Sequence, residues 1–368
     1  MESGDYIGVR PCCFEKEHFD IIGALPDTTE DLLVEYSYKY FLMKRMGFGM
    51  AKKHIYFNHD GGVDDLVSLF LLLKMDNVEL TGVSVIPADC YLEPAVFASR
   101  KIIDRFGDGV RLDVAESNSR GKNPFPKDWR MHAFLVDALP ILNESGEIIT
   151  PVAEKPAHLH MIDAIRNTTE KTTLLFTGPL TDLARALDEA PDIEEKIERL
   201  VWMGGTFRED GNVHEPEHDG TAEWNVFWDP DAAARVWETN IEIDLVALES
   251  TNQVPLTLDV RQRWAKERKY IGVDFLGQCY AMVPPLVHFT TNSTYYLWDV
   301  LTTAFIGNSD LVKVQTVNSV VITDGPSQGR TVETPDGRPV NVVYDVNRDA
   351  FFDYMTELAK QVSGENSK

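Results

Sequence analysis

From residue 54 onward the chain repeats one pattern: a short apolar run, a polar or glycine-bearing turn, then a longer apolar-rich stretch. Ile55-Tyr56-Phe57 is β-rich and stops at a turn holding Gly61-Gly62; Asp64-Asp65 follow, and then a strongly apolar run to Leu73. Strand, tight turn and helix is the predicted order. Residues 80–86 predict a second buried strand that delivers Pro87-Ala88-Asp89-Cys90, with a helix following over about 93–105. Residues 172–176 repeat the theme before the Gly178-Pro179 turn and another helix, and residues 199–203 form a strand that leads into Gly204-Gly205. Near the C-terminus, residues 295–304 predict an aromatic-lined helical segment. Strand-like runs at 317–322 and 340–343 then flank a glycine-bearing turn at 323–329, before a final helix over about 348–362. Alternating strands and helices predict a single α/β domain, residues 51–368, with a mainly parallel, Rossmann-like central sheet and helices on both faces. Its site is expected at the carboxyl ends of the strands.

Residues 1–50 break this rhythm. They mix charges with the adjacent Cys12-Cys13 and an aromatic-rich segment at 36–41, and a capped helix is predicted over about 32–46. We read them as an N-terminal extension that carries no chemistry and serves packing or an oligomer contact.

Composition narrows the partners. A hydrophobic fraction of 43% in 368 residues supports a sizeable core. A formal net charge of −24 argues against nucleic-acid or anionic-membrane partners, which are themselves negative. No window is apolar enough to span a bilayer. The opening Met1-Glu2-Ser3-Gly4-Asp5 lacks the basic-then-apolar layout of a secretory signal. Cys12, Cys13, Cys90 and Cys279 show no C-x-x-C spacing. A cytoplasmic protein with reduced thiols is the expectation.

The candidate chemistry gathers at the first turn. Asp60, Asp64 and Asp65 crowd the strand-to-helix junction, and crowded carboxylates repel one another. Two readings stand: a bound hard cation such as Ca²⁺ or Mg²⁺, ligated by oxygen, or an acidic helix N-cap. The Thr177 carbonyl, at the equivalent turn after the 172–176 strand, is a neutral ligand candidate. Asp299 is a carboxylate in an apolar segment and needs a cation or hydrogen-bond donors. The long polar loop at 116–127 runs into Asn123-Pro124-Phe125-Pro126-Lys127 and presents Trp129, either as a packing anchor or over an active site.

Other patterns carry less. His214-Glu215-Pro216-Glu217-His218 matches the H-E-x-x-H zinc pattern by letters, but Pro216 and the glycines at 211 and 220 preclude the continuous helix that chemistry requires. His158 and His160 read as a half-exposed pair on one element. The phosphate-loop, dinucleotide and nucleophile-elbow motifs do not occur.

Taken together, these residues resemble the nucleoside hydrolases over about residues 53–362. The family's aspartate cluster, usually D-x-D-P-G-x-D-D, is here Asn58-His59-Asp60-Gly61-Gly62-Val63-Asp64-Asp65. Ala88-Asp89-Cys90, Asn123-Pro124-Phe125-Pro126-Lys127, Thr177-Gly178-Pro179-Leu180, Asp219-Gly220-Thr221-Ala222-Glu223-Trp224-Asn225 and Tyr296-Leu297-Trp298-Asp299 are similar to the purine-specific inosine–adenosine–guanosine subgroup.

The resemblance implies Ca²⁺-dependent cleavage of the N-glycosidic bond of purine ribonucleosides, for base salvage, by a homodimer. It implies that Asp60, Asp65, Asp299 and the Thr177 carbonyl hold Ca²⁺, which acidifies a water. Asp60 is then the base as that water attacks C1′. Asp64, Asn212, Glu223, Asn225 and Asp299 are implied to grip the ribose as it flattens toward an oxocarbenium ion. Trp129 and Trp298 are implied to sandwich the purine, and Asp89 to contact it. Trp298 stands where many members place a histidine.

One departure is Asn58, which replaces the first aspartate of the cluster and removes a charge. It motivates a second reading, a nucleoside-binding protein with weakened catalysis. A nonspecific nucleoside hydrolase is a third reading. A metal-dependent phosphohydrolase is a fourth, and the sequence lacks the basic phosphate grip that it would need.

Overall fold

The computed structural model describes residues 52–127, 130–208, 210–283 and 294–362. The N-terminal extension and Trp129 therefore lie outside the described residues.

The first strand, β1 (Lys53–His59), shows how the sequence builds the sheet. Ile55 and Phe57 face one helical layer and Tyr56 the opposite one. That alternation buries every residue from Ile55 to His59, as a central strand covered on both faces requires. The remaining strands are β2 (Val78–Val85), β3 (Val114–Glu116), β4 (Thr172–Phe176), β5 (Ile197–Met203), β6 (Ile243–Val246), β7 (Val312–Val321), β8 (Thr331–Glu333) and β9 (Arg338–Val346). They form one nine-stranded sheet in the order β3-β2-β1-β4-β5-β6-β9-β7-β8. Every pairing from β3 to β9 is parallel, and β7 runs antiparallel to both β9 and β8. This is the α/β architecture the alternating pattern predicts, with an antiparallel edge added.

Chain order reverses between β1 and β4: β2 lies on the far side of β1 and β5 on the far side of β4. Loops that leave neighbouring strands in opposite directions open a crevice at the carboxyl ends. The turn after β1 carries Asp60, Asp64 and Asp65, and the turn after β4 carries Thr177.

Two apolar cores hold the layers. One packs helices Val63–Leu72, Leu92–Phe106, Ile271–Ala281, Trp298–Gly307 and Arg348–Lys360 against the Ile55/Phe57 face. The other packs helices Ala157–Asn167, Thr181–Glu189 and Pro230–Trp237 against Tyr56, Leu174, Phe176 and Trp202. A smaller cluster of Ile86, Ala88, Phe125, Val213, Ala222, Trp224, Phe227 and Trp228 joins loop residues to the short helix Trp224–Trp228. No helix among the described residues is long and apolar enough to cross a membrane.

Element boundaries shift modestly from expectation. The aromatic segment becomes helical only at Trp298; Tyr296 makes an isolated bridge to Pro255 instead. Strand β7 begins at Val312, five residues before the predicted run; its largely exposed first half, Val312-Lys313-Val314-Gln315-Thr316, alternates valine with polar residues and forms no continuous apolar run. Residues 214–218 are a loop, as Pro216 demands, and His158 is more buried than a half-exposed pair implies.

Candidate active site

The turn after β1 is shaped by two glycines. Gly61 has φ +87°, and a Cβ there would stand 2.4 Å from Ala95 Cβ. A side chain at this position would carry backbone strain and a clash together. A Cβ on Gly62 would press within 2.9 Å of both Asp65 Oδ2 and Asp89 Oδ2. The turn thus leaves room for carboxylates and little else.

Each carboxylate has a distinct setting. Asp65 Oδ2 accepts from the Gly62 amide at 2.7 Å, reaching back from the first helical turn to the residue that opens it, and its Oδ1 accepts from Thr177 Oγ1. The capping reading is therefore correct for part of the cluster. Asp64 accepts from Tyr295 Oη at 2.7 Å and from the Asp299 amide at 3.2 Å. Asp60 Oδ2 accepts from the Asp89 amide at 3.2 Å. Ligand oxygens of Asp64, Asp65 and Asp299 lie within 4.8 Å of one another, and all three residues are buried. The resemblance assigns Asp60 where this tightest set has Asp64; Asp60 adjoins Asp65 in the same cavity.

Electrostatics set these groups apart from ordinary surface acids. Burial, then the charges of Asp65 and Asp89, push the Asp60 carboxyl well up. Burial and the neighbouring carboxylates Asp64, Asp65 and Asp60 do the same to Asp299. Asp65 and Asp89 are raised by burial and then by Asp64. Asp64 is raised by burial against its donors. The described cavity lining holds no lysine or arginine. Like charges this close stay ionised together only beside a compensating cation. The donor set is all oxygen and includes the Thr177 turn, which suits a hard divalent ion. The residues fit the metal that the resemblance implies.

The opposite wall comes from β5 and the loop beyond it. Glu223 caps helix Trp224–Trp228, accepting from the Asn225 amide at 2.9 Å and the Gly205 amide at 3.0 Å. Burial raises its carboxyl to about 7 despite those donors. Asn225 Nδ2 donates to the Thr177 and Met203 carbonyls, each at 3.1 Å. Asn212 Oδ1 accepts from the Trp224 amide at 3.1 Å, and its carbonyl accepts from Trp224 Nε1.

These residues line one cavity of about 510 Å³, together with Asp89, Phe125, His132, His214, Tyr295 and Trp298. Its size suits a small-molecule ligand. The structure thus brings Asp60, Asp64, Asp65, Asp89, Thr177, Asn212, Glu223, Asn225, Trp298 and Asp299 together. Trp298 opens its helix and packs edge-on against Tyr295 and Tyr296, with ring centroids 4.7 and 5.8 Å apart. Asp89 Oδ1 is buried without a hydrogen-bond partner, an acceptor left for a ligand.

Sequence reasoning passed over His132, His214, Phe125 and Tyr295 as lining residues. Their side chains reach the cavity from three separate loops or helix starts, a convergence that no local spacing encodes. Burial lowers the His132 pKa, so its ring is neutral near neutral pH.

Comparison with known proteins points the same way. The profile of the inosine-uridine preferring nucleoside hydrolases matches residues 55–353. A Bacillus anthracis crystal structure described as an inosine-uridine preferring nucleoside hydrolase is 78% identical, with a TM-score of 0.81, covering 84% of this chain and all of that one (100%). A non-specific ribonucleoside hydrolase of Salmonella paratyphi A is 26% identical over 324 residues, 84% of this chain and 98% of its own. A pyrimidine-specific ribonucleoside hydrolase of Shigella sonnei is 24% identical over 299 residues, 77% of this chain and 88% of its own. With its aspartate cluster at the switch point of a parallel sheet, the chain belongs to the nucleoside hydrolase family, enzymes that hydrolyse the N-glycosidic bond of ribonucleosides.

Proposed function

We propose that the chain is a Ca²⁺-dependent hydrolase of purine ribonucleosides, inosine among them, releasing free base and ribose. The observation that carries this reading is the meeting of two walls in one cavity. Asp60, Asp64, Asp65 and Asp299 form the first, and Glu223, Asn225 and Asn212 the second.

Asp60, Asp65, Asp299 and the Thr177 carbonyl are the residues that would hold Ca²⁺, with Asp64 adjoining. When bound, the ion supplies Lewis acidity that makes a water a stronger nucleophile at neutral pH. Asp60, buried and flanked by Asp65 and Asp89, holds the proton as the nucleophile reaches C1′. Asp64, Asn212, Glu223, Asn225 and Asp299 orient the ribose hydroxyls, and their negative charge favours a sugar that gains positive charge as the base leaves. Trp298 offers a stacking face for the base, and Asp89 Oδ1 accepts from its edge. Trp129 completes the clamp in this reading. The enzyme works as a cytoplasmic homodimer.

A second reading, in which inosine and uridine are both good substrates, is favoured by the description of the 78%-identical Bacillus anthracis relative. His132 and His214 support it, since imidazoles can pair with the carbonyls of either base.

Base release from inosine, guanosine, adenosine, uridine and cytidine, with and without a Ca²⁺ chelator, separates the readings. Chelator-sensitive release confined to purine nucleosides supports the first; uridine turnover matching inosine supports the second. Nucleoside binding with no release from any of the five would overturn both.

A further inference from the structure

Asn58 stands where the aspartate-cluster pattern has an aspartate, and the structure shows what faces it. Its side chain is fully buried at the end of β1. Nδ2 donates to Ser84 Oγ of β2 at 2.8 Å and to Asp182 Oδ2 at 3.1 Å. Asp182 is itself fully buried, in the first turn of helix Thr181–Glu189 that follows β4. Its other oxygen accepts from Ser117 Oγ at 2.7 Å and Ser119 Oγ at 2.6 Å, in the loop leaving β3. Arg185 donates in turn to Ser119 Oγ, bringing a positive charge behind the carboxylate.

The Asn58–Asp182 contact joins β1 to the helix after β4, and the bonds of its two members to Ser84, Ser117 and Ser119 extend the tie to β2 and the exit from β3. The backbone adds a further tie, since the Asn58 carbonyl accepts from the Thr177 amide at 3.1 Å. Asn58 thus braces the turn that presents the Thr177 carbonyl, two residues before Asp60. An aspartate at position 58 would set a second buried carboxylate against Asp182 across the same contact. Two such groups cannot both stay ionised.

We propose that Asn58 and Asp182 form a charge-exchanged positioning pair. The carboxylate that the aspartate-cluster pattern places on the first strand sits here on the facing helix, and its hydrogen bond to Asn58 holds the Thr177 turn and the Asp60 backbone in register. Asn58 is then no sign of weakened catalysis. The proposal deepens the hydrolase reading and rests on it for its kinetic arm alone.

The test is a double-mutant cycle of Asn58→Asp, Asp182→Asn and the two combined. The readouts are the unfolding midpoint, with chelator and with Ca²⁺, and kcat and KM for inosine. Asn58→Asp is expected to lower the midpoint by about 5 °C or more, the size expected when a buried charge loses its partner. It should lower kcat at least about tenfold, with KM within about threefold, because a displaced turn misplaces Asp60 more than it removes substrate contacts. The combined variant restores the amide–carboxylate contact with its ends exchanged, and both readouts should return to within about threefold or about 2 °C of the starting protein.

A combined variant no better than Asn58→Asp, or an Asn58→Asp protein indistinguishable from the starting one, overturns the proposal. Should Asn58→Asp alone fail to fold, a folded combined variant supports the pair and an unfolded one overturns it. If the unaltered protein releases no base, the hydrolase reading fails while the unfolding cycle still decides the pair.

Discussion

The two halves of the cavity are built in different ways. The half that holds Asp60, Asp64, Asp65, Asp299 and the Thr177 turn is set by strand ends and helix starts. Its groups are buried and cross-linked: Asp65 to Gly62 and Thr177, Asp64 to Tyr295 and Asp299, Asn225 to Thr177. The half proposed to meet the base is formed by Phe125, His132, His214 and Trp298, of which His132, His214 and Trp298 are partly solvent-exposed. Chemistry that requires fixed geometry sits on the rigid frame. In the proposed reading base selection falls to Phe125, His132 and His214 on other segments, while Trp298 shares its helix start with Asp299. The family's spread is consistent with that division, since relatives described as inosine-uridine preferring, non-specific and pyrimidine-specific share the matched chain.

The comparison breaks first at Asp60. Asp60→Ala is expected to lower kcat by about 10³-fold or more, as loss of a positioned base does, while inosine still binds. A loss within about tenfold, roughly 1.4 kcal/mol of barrier, would show that Asp60 is not the base. On the opposite wall, Glu223→Gln keeps shape and removes charge. It should cost about 10²-fold in kcat/KM, read from initial rates on inosine, with kcat bearing most of the loss.

The base half should respond more mildly and more selectively. Trp298→Ala is expected to cost about tenfold in kcat/KM for inosine, the scale of one aromatic stacking contact, and to shift the inosine-to-uridine ratio. An unchanged ratio would remove Trp298 as a selector. His132→Asn should move the same ratio by a smaller factor and leave the unfolding midpoint unchanged.

A pH dependence follows from the rigid half. Burial and then neighbouring carboxylates raise the pKa of Asp60, Asp65 and Asp299, burial alone raises Asp64 against its donors, and burial raises Glu223 to about 7. A carboxyl with a folded pKa above its unfolded value stabilises the fold below the unfolded value, near 4, and loses that contribution as pH rises through the folded pKa. Chelator-treated protein should therefore unfold at progressively lower temperature from about pH 4.5 to pH 8, by the sign of the linkage. Added Ca²⁺ should raise the midpoint more at pH 8 than at pH 5.5. A midpoint that rises with pH in chelator would contradict the account.

How much of this was legible in the sequence follows the same division. Asp60, Asp64 and Asp65 were readable because their signal is local, a β-rich triplet, a glycine pair and Asp64-Asp65 in one short stretch; Thr177 came from the repeated strand–turn unit and Asp299 from a carboxylate in an apolar run. The parallel sheet followed from repetition of that unit. The antiparallel edge was only half visible, since β7 exposes Lys313, Gln315 and Thr316 and β8 spans three residues. The Asp65 hydrogen bond to the Gly62 amide bears out the helix N-terminal reading for that residue, and it leaves the cation reading open to the same carboxylate. The base half was readable only through resemblance, at Trp298 and Asp89. His132 and Phe125 meet there only through tertiary packing, and the Asn58–Asp182 contact joins residues 124 positions apart.

The central claim is that the carboxylate half is completed by a cation. Its most direct test is calorimetric titration of Ca²⁺ into chelator-stripped protein, repeated on Asp65→Asn, with the unfolding midpoint followed alongside. The account predicts saturable binding of one ion per chain, a rise in midpoint, recovery of base release from inosine, and at least about tenfold weaker binding in Asp65→Asn. Full inosine hydrolysis by stripped protein, with no heat of binding and no shift in midpoint, would contradict it.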